Sequence, residues 1–487
     1  MLFKLRILAA ILAVFAVTGG AQAQQQGAQF VPGELIVGYN SAEERNTAIG
    51  ELNAPRLRTR GFTVDSVQAQ PMGETSIKLR IEQPGRITTR GLQNPQADLQ
   101  ALEQFARDIK ERDARVKYAH PNWIMTIKPP SPAQVPQLDK LAVPKQGTPA
   151  DGPNDPMFVQ GLHWHYQPLP MGMNAVGAWK KSHGSRDVVV AVLDTGILPE
   201  HPDIKGSGNL LPGRNFVSFN GGTRGPDATD PGDACRPTDA SSWHGTHVAG
   251  TVGAVATNNG RAITGINWDV SVLPVRVLGA CGGSVSDIAD AIRWSAGIAV
   301  PGVEPNTKPA HVINMSLGMK VTCLPEQVGI LTDAMDEARR AGSVIVVAAG
   351  NEAEDIKDFT PAGCPNVISV AASDKLGRLS PYSNFGAVTV MAPGGAMTQT
   401  ELDGGVWSVI NVSATQEVGV APMQGTSMAA PHVAGAIALA MAVRPEWRGK
   451  PELVEKAVRT CAVKPATACR QACGAGQLDA EKLMTCP

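Results

Sequence analysis

The chain has 487 residues, more than one ordinary domain contains, so two folded units are expected. Its composition, 43% hydrophobic and 18% charged residues, is typical of a soluble globular protein and not of a disordered one. The net charge of −1 provides no basic excess to pair with phosphates, which argues against nucleic acid or a membrane surface as partner.

The N-terminus has the pattern of a secretory signal peptide. Lys4 and Arg6 precede the apolar run Ile7–Val17, and the small residues of Ala21–Ala23 follow. A retained membrane anchor is the alternative, but the run is short for a bilayer span, and no cysteine follows it to carry a lipid. We therefore predict a signal peptide over residues 1–23, secretion, and no membrane anchor.

Cysteine usage agrees with export, because an even number of cysteines in a secreted chain indicates disulfides. The eight cysteines all lie beyond residue 230, and their 105 possible pairings leave the connectivity open. A zinc site is the competing interpretation. It is disfavoured because no CxxC occurs and no set of histidines lies near Cys469 and Cys473.

Hydrophobic periodicity divides the rest of the chain into three parts. Residues 30–128 are predicted to form a small α/β unit, with strands at Gly33–Asn40, Thr75–Glu82 and Arg115–Ile127 and a helix at Asn94–Asp113. Residues 129–154 are rich in proline and are predicted to be an exposed linker and processing region. From 155 to 487, unbroken apolar strands alternate with amphipathic helices, which predicts a three-layer α/β domain with a mostly parallel central sheet.

Three polar residues occupy positions where such a sheet would place a site. Asp194 closes an apolar strand, whereas His244 and Ser427 each open a helix. Taken singly, each has an ordinary structural explanation: a turn residue, a structural histidine and a helix N-cap. Together they form the set that nucleophilic catalysis requires, because a serine hydroxyl needs a base and the base needs an orienting partner.

The residues around these three decide between the two explanations. The segments VLDTGI (Val192–Ile197), HGTHVAGT (His244–Thr251) and GTSMAAPHVAG (Gly425–Gly435) occur together and in that order, and they resemble the subtilisin-like serine peptidases. The resemblance covers about residues 155–480. It implies a subtilisin-like fold and a secreted endopeptidase in which Ser427 is the nucleophile, His244 the general base and Asp194 the residue that orients the imidazole.

The same resemblance supplies the remaining site residues. VIVVAAGNE (Val344–Glu352) matches the family's oxyanion segment, so Asn351 and the backbone N–H of Ser427 are expected to bind the oxyanion. NMSLG (Asn314–Gly318) resembles the edge to which an extended substrate adds as a strand. The walls of the specificity pocket are expected from six residues, and their small or apolar side chains favour apolar or aromatic substrate side chains: Ser316, Leu317, Gly318, Ala348, Ala349 and Gly350. Glu352 lies close enough in sequence to modify that preference.

Calcium is the expected cofactor, and no organic cofactor is expected. Asp227, Asp230 and Asp233 share one short loop, where a hard cation would relieve their mutual repulsion; a solvated acidic loop is the alternative. The loop Thr257–Ile266 lies where relatives bind calcium, but it contains no carboxylate and would depend on carbonyls and amides. His247 and His432 are interpreted as structural, since the glutamate of a helical HExxH zinc site is missing.

The first unit also has a counterpart in the family. VPGELIVGY (Val31–Tyr39) and VKYAHPN (Val116–Asn122) are similar to the first and last strands of inhibitor-like propeptides. This similarity implies a self-processing zymogen whose propeptide blocks its own cleft and is cut between about residues 125 and 155. A monomer with no further C-terminal domain is expected. A lipase-type hydrolase and an inactive binding module are the competing hypotheses; the first is disfavoured by the motif order and the second by the occupied catalytic positions.

Overall fold

The computed structural model describes residues 29–52, 58–59, 62–63, 66–82, 95–127, 152–236, 239–398, 401–411, 419–465 and 467–486. The predicted signal peptide and residues 129–151 of the predicted linker lie outside these ranges.

Two helices and six strands are present in the described residues of the N-terminal unit. Its predicted helix and strands are present with small shifts of their ends, and the strand at Ser66–Met72 was missed by the sequence analysis. In chain order the elements are β1 (Gln29–Tyr39), α1 (Ala42–Leu52), β2 (Arg58–Thr59), β3 (Phe62–Thr63), β4 (Ser66–Met72), β5 (Ser76–Glu82), α2 (Pro95–Arg112) and β6 (Val116–Met125).

The larger unit alternates strands and helices, as its apolar periodicity predicted. Short 3₁₀ helices lie at Trp164–Tyr166, Ile356–Asp358 and Pro445–Trp447. The other elements are α3 (Pro156–Val159), α4 (Ala175–Trp179), β7 (Val189–Asp194), β8 (Arg214–Asn215), α5 (His244–Val252), β9 (Ser271–Arg276), β10 (Gly283–Ser284), α6 (Val285–Ser295), β11 (Val312–Met315), α7 (Pro325–Arg340), β12 (Val344–Ala348), β13 (Ile368–Ser373), β14 (Val390–Pro393), β15 (Val406–Val409), β16 (Val420–Met423), α8 (Thr426–Val443), α9 (Pro451–Cys461) and α10 (Ala480–Thr485).

Two sheets organise the molecule. A seven-stranded parallel sheet has the order β14-β13-β12-β11-β7-β9-β8. A five-stranded antiparallel sheet has the order β10-β6-β1-β5-β4, so β10 of the larger unit continues the sheet of the N-terminal unit. The α/β fold class with a parallel central sheet is therefore confirmed.

The parallel sheet is apolar because helices cover both of its faces. All six residues of β7 are buried, and alternate side chains belong to different cores. Val189, Ala191 and Leu193 pack with α6 and α7 and with the N-terminal unit. Val190 and Val192 pack with α5 and α8 on the opposite face. Helix α8 is long and apolar enough to cross a membrane, but 89% of its apolar window is buried inside the protein, as for a core helix.

All eight cysteines form disulfides, which confirms the interpretation from cysteine usage. The pairs are Cys235–Cys281, Cys323–Cys364, Cys461–Cys486 and Cys469–Cys473. The third pair joins α9 to the segment that follows α10 and closes a 25-residue separation.

Removing Cys461–Cys486 by a double serine substitution should lower the free energy of unfolding by about 3 kcal/mol, because the unfolded chain regains the entropy of an open loop. Removing Cys469–Cys473, whose cysteines are 4 residues apart, should cost less. Denaturant titration of both variants in a Ser427→Ala chain, which avoids self-digestion, measures the difference. Equal losses of unfolding free energy in the two variants would contradict this dependence on loop length.

Candidate active site

Asp194 and His244 meet in the protein interior at the carboxyl end of β7. Asp194 is the last residue of that strand and His244 is the first residue of α5. The Nδ1 atom of His244 lies 2.8 Å from Asp194 Oδ1, and both side chains are almost wholly buried. The carboxylate also accepts a hydrogen bond from the backbone N–H of Thr195 at 2.8 Å. These two residues, predicted from the sequence to belong to one site, are in direct contact in the structure.

This contact sets the electrostatics of the imidazole. Burial disfavours the charged ring, but the Asp194 carboxylate at hydrogen-bond distance opposes burial and raises the pKa of His244 above its usual 6.5, with smaller help from Asp233 and Asp230. Because a carboxylate can only accept, Nδ1 carries the proton in this contact. The other ring nitrogen, Nε2, is then the basic one in the neutral ring.

Ser427 is the second residue of α8, beside α5. The two helices pack against each other, and His247 and His432, one turn further along each helix, lie close enough to interact electrostatically. The Ser427 hydroxyl donates to the carbonyl of Ser316 at 3.2 Å, and the Ser316 hydroxyl donates to the carbonyl of Ser427 at 2.9 Å. In this structure the hydroxyl is therefore held at the end of β11, and the hydrogen bond it makes is to Ser316 and not to His244.

Asn351 follows β12 and faces the start of α8. Its Oδ1 accepts from the backbone N–H of Thr426 at 2.9 Å and from the Thr426 hydroxyl at 3.0 Å, which fixes the amide orientation. A Cβ placed on Gly425, whose φ is 153°, would lie 3.4 Å from Asn351 Nδ2 and 3.6 Å from the backbone nitrogen of Ser427. Two N–H groups thus border the space that the glycine leaves open, as an oxyanion site requires.

The predicted pocket residues lie at the ends of β11 and β12. Ser316, Leu317 and Gly318 follow β11, and Ala348 ends β12 ahead of Ala349 and Gly350. The Glu352 carboxylate accepts from the backbone N–H of Asn351 at 2.8 Å and from Asn384 Nδ2 at 3.0 Å. Glu352 therefore takes part in holding the Asn351 loop.

The end of β6 occupies the edge beside Ser316. Thr126 exchanges two backbone hydrogen bonds of 3.1 Å with Gly318. On its other side, β6 pairs antiparallel with β10, with Met125 opposite Gly283 and Ile124 opposite Ser284. The edge at Asn314–Gly318 was predicted from the sequence, whereas the edge at β10 was not. The adjacent glycines 282 and 283 are the signal that was overlooked, since a Cβ at Gly282 would overlap the carbonyl oxygen of Met125.

The predicted calcium site at Asp227, Asp230 and Asp233 does not fit the structure. Each carboxylate is already satisfied by protein donors: Asp227 by the Thr229 N–H, Asp230 by the Thr195 hydroxyl and the Gly232 N–H, and Asp233 by the N–H and hydroxyl of Ser242. Within the described ranges, no group of three or more Asp, Glu, His or Cys side chains is arranged to hold a metal ion. Internal hydrogen bonds of these carboxylates therefore help to hold the loop.

Two of these carboxylates instead support the Asp194–His244 pair. Asp230 accepts from the Thr195 hydroxyl at 2.6 Å, next to Asp194 in the chain, and burial raises the pKa of Asp230 to about 6. Asp233 holds Ser242, whose hydroxyl oxygen in turn accepts from the His244 N–H at 3.2 Å. This supporting role of Asp230 and Asp233 is not visible in the sequence, where the same residues were predicted to bind calcium.

The loop Thr257–Ile266 contains no carboxylate of its own, but two carboxylates from elsewhere in the chain reach it and could bind calcium there. Asp203 accepts from Asn259 Nδ2 at 2.7 Å and from the Ile263 N–H at 3.1 Å, and Asp155 accepts from the Asn258 N–H at 2.9 Å. Asp155 Oδ1 is buried and has no hydrogen-bond partner among the described residues. Burial raises the pKa of Asp155 to about 6, and the nearby Asp203 charge adds to the effect. This carboxylate chemistry fits a hard cation.

His247 and His432, the two histidines interpreted as structural, make buried contacts. His247 Nε2 lies 3.1 Å from the carbonyl oxygens of Val406 and Ala421. His432 contacts the Met428 carbonyl at 2.7 Å and His165 Nδ1 at 2.8 Å. Burial lowers the pKa values of His247 to about 3 and His432 to about 4, so both rings are neutral at ordinary pH.

Comparison with known proteins shows which family combines these features. Residues 185–476 match the subtilase family of peptidases, and residues 16–70 match the N-terminal prodomain of fervidolysin. The chain is 42% identical over 347 residues to the extracellular protease of Xanthomonas campestris pv. campestris, covering 68% of this chain and 57% of that protein. It is 40% identical over 320 residues to the extracellular basic protease of Dichelobacter nodosus, covering 62% and 49%. The chain thus spans about half the length of these curated relatives.

Solved structures give the same grouping. A protease from Pseudoalteromonas arctica aligns with a TM-score of 0.63 at 41% identity, covering 68% of this chain and 98% of that one. Fervidolysin from Fervidobacterium pennivorans aligns with a TM-score of 0.64 over 95% of this chain and 62% of its own; at 22% identity it shows the fold alone. The match to the family covers well over half of the chain, and the chain belongs to the subtilase family.

Proposed function

We propose that the chain is the precursor of a secreted serine endopeptidase that hydrolyses peptide bonds through an acyl-enzyme on Ser427. The observation that carries the proposal is the buried 2.8 Å contact between Asp194 and His244, placed beside the N-terminus of α8 in a subtilase chain. A hydrogen-bonded carboxylate and imidazole next to a serine provide the base that a hydroxyl lacks by itself.

The proposed reaction begins when the Ser427 hydroxyl turns from the Ser316 carbonyl toward His244. His244 Nε2 takes the hydroxyl proton as Ser427 Oγ bonds to the substrate carbonyl carbon, and Asp194 stabilises the resulting imidazolium. Asn351 Nδ2 and the Ser427 N–H donate to the oxyanion. Collapse of the tetrahedral intermediate breaks the C–N bond, and His244 returns the proton to the leaving amine. Water, activated by the same base, then hydrolyses the ester and restores the hydroxyl.

Substrate binding follows the geometry of the strand that occupies the cleft. Thr126 pairs with Gly318 while Met125 pairs with Gly283, so an extended chain fits between two edges as an added strand. Ser316, whose carbonyl accepts from Ser427, lies two residues before Gly318, so an antiparallel strand in this register advances toward the nucleophile. We propose that the N-terminal unit inhibits its own peptidase in this manner. It is removed by self-cleavage between about residues 125 and 155.

The specificity and cellular location are part of the same proposal. The small walls formed by Ala348, Ala349 and Gly350, of which the two alanines are buried, favour apolar or aromatic side chains in an otherwise broad specificity. The basic and apolar N-terminus, the four disulfides and the names of the extracellular relatives support export. A monomeric enzyme is part of the proposal.

A structural calcium ion would be held at the loop Thr257–Ile266 and not at the acidic loop. Asp155 and Asp203 provide the carboxylates, and the Asn259 amide and loop carbonyls provide further oxygens. Bound there, the ion would neutralise two buried acids and brace the loop, and it takes no part in the chemical step.

Ser427→Ala should abolish casein hydrolysis and leave the secreted precursor uncut, because the attacking oxygen is gone. A matched control is Ser185→Ala, at the opposite end of β7 from Asp194, which should mature and hydrolyse casein normally. N-terminal sequencing and gel mobility of both proteins from a protease-deficient host give the answer. A Ser427→Ala protein that still matures and still cleaves casein is incompatible with this mechanism.

The pH dependence of kcat/KM should follow His244. Its ring must be neutral to accept the hydroxyl proton, and its pKa is raised above 6.5, so activity should rise with pH through a midpoint above 6.5. Asp194→Asn should move the midpoint to lower pH and reduce kcat by about 10⁴-fold. A wild-type midpoint at or below 6.5, measured with a peptide substrate, would count against the assigned contact.

Chelation should lower the melting temperature of the Ser427→Ala chain, since a cation that binds only the folded state stabilises it by mass action. Asp203→Asn should remove most of this response, whereas Asp227→Asn, in the loop that does not fit a cation, should retain it. Calorimetry with excess chelator and with added calcium tests both variants. Identical melting curves of the Ser427→Ala chain, without further substitution, in chelator and in calcium would exclude the calcium proposal.

A further inference from the structure

The N-terminal unit contacts the peptidase unit at a second place, far from the cleft. Tyr118 lies eight residues before Thr126 on the same extended segment, a distance of about 26 Å along a strand. Around Tyr118, β6 packs against α6 and α7 on the face of the parallel sheet opposite α5 and α8. The Tyr118 side chain therefore lies against these two helices and not against the catalytic residues.

The Tyr118 ring lies in a slot between two glycines. A Cβ on Gly329 of α7 would overlap the ring, and so would a Cβ on Gly38 of β1. The ring is fully buried, and its hydroxyl lies 2.8 Å from Ser76 Oγ and donates to Asp333 Oδ2 at 3.0 Å. One wall and one hydrogen bond therefore come from the N-terminal unit, and the other wall and the other hydrogen bond come from the peptidase.

On the peptidase side, α7 has features that simple helix packing would not require. Glycine inside a helix costs about 1 kcal/mol relative to alanine. Val328, just before Gly329, has non-helical dihedral angles of −143° and 28° within α7. On the same turn the Gln327 carbonyl accepts from the Trp123 indole at 2.7 Å. The local distortion of α7 thus coincides with its contacts to β6.

Charged groups complete the slot. Asp333 receives two consecutive side chains of β6, with Lys117 Nζ at 2.8 Å from Oδ1 and the Tyr118 hydroxyl on Oδ2. Beside it, buried Arg293 pairs with Glu337 at 2.5 Å. A Cβ on Gly73, in the turn between β4 and β5, would lie 2.7 Å from Arg293 Cζ. The N-terminal unit therefore contacts three features of the peptidase: the backbone of Gly329, which has no side chain, the hydrogen-bond acceptor Asp333, and the cation Arg293.

We propose that Gly329, Asp333 and Arg293 form a second recognition site on the peptidase unit, the tyrosine slot, which takes a tyrosine-bearing strand edge and thereby selects the enzyme's own N-terminal unit. The substrate cleft recognises backbone and accepts many sequences, whereas the slot requires one aromatic ring with a hydroxyl and an adjacent cation. The slot therefore provides the specificity that the cleft lacks. This inference rests on the proposed role of the N-terminal unit as an intramolecular inhibitor.

Hydrogen exchange of the full-length Ser427→Ala chain measures docking without interference from self-cleavage. Gly329→Ala should raise the exchange of the β6 amides about 10- to 100-fold through steric overlap with the ring. Asp333→Asn should raise it about 10-fold by weakening a charge-assisted contact. Ser76→Ala is the matched control, because it removes the hydroxyl contact from inside the N-terminal unit and leaves the peptidase side of the slot unchanged. The β12 amides, in the parallel sheet, should keep their wild-type exchange in every variant.

A double-mutant cycle separates the slot from a general effect on α7. In a Tyr118→Ala background the ring is missing, so Gly329→Ala should change β6 exchange less than about 3-fold. The proposal is overturned if Gly329→Ala and Asp333→Asn leave β6 exchange unchanged, or if Gly329→Ala acts equally with and without the ring. Failure of the proposed function would be seen separately, as absence of casein hydrolysis by the matured wild-type chain.

Discussion

The site depends on one buried contact, the hydrogen bond between the Asp194 carboxylate and the His244 imidazole. A carboxylate with no exposed surface is expensive unless donors surround it. The fold supplies donors by ending β7 and beginning α5 at the same point, so that the Thr195 N–H and the ring N–H both reach the acid. The parallel sheet fixes this meeting, because the carboxyl ends of its strands lie along one edge.

A second layer of polar residues holds that contact in place. Asp230 binds the Thr195 hydroxyl, which also accepts from the N–H of Gly245 at 3.0 Å, and Asp233 holds Ser242 ahead of His244. Acids that looked like cation ligands in the sequence therefore orient the loop between β7 and α5. Removing Asp230 would leave the buried Thr195 hydroxyl without this acceptor close to the pair, and buried donors without partners are costly.

The local signals in the sequence were sufficient to locate Asp194, His244 and Ser427 at the ends of their elements, because strand ends and helix starts can be read from neighbouring residues. Asn351 was located by the resemblance of its segment to the family's oxyanion motif. Contacts between distant segments that no motif marks could not be read. The pairing of β10 with β6 joins residues about 160 positions apart, and nothing in either segment identifies the other. The same is true of Asp155 and Asp203, which reach the loop Thr257–Ile266 from outside it. For the Asp227–Asp233 loop, closeness in sequence suggested a shared cation but does not reveal which protein donors reach each carboxylate.

In the proposed reaction, His244 is held by Asp194 and activates Ser427. Labelling of the matured protein with phenylmethylsulfonyl fluoride, followed by peptide mapping by mass spectrometry, is the sharpest test of this activation. One adduct on the peptide that contains Ser427, absent when His244 is replaced by alanine, is the predicted result. An adduct on a different residue, or equally rapid labelling of Ser427 without His244, would be incompatible with activation of Ser427 by His244.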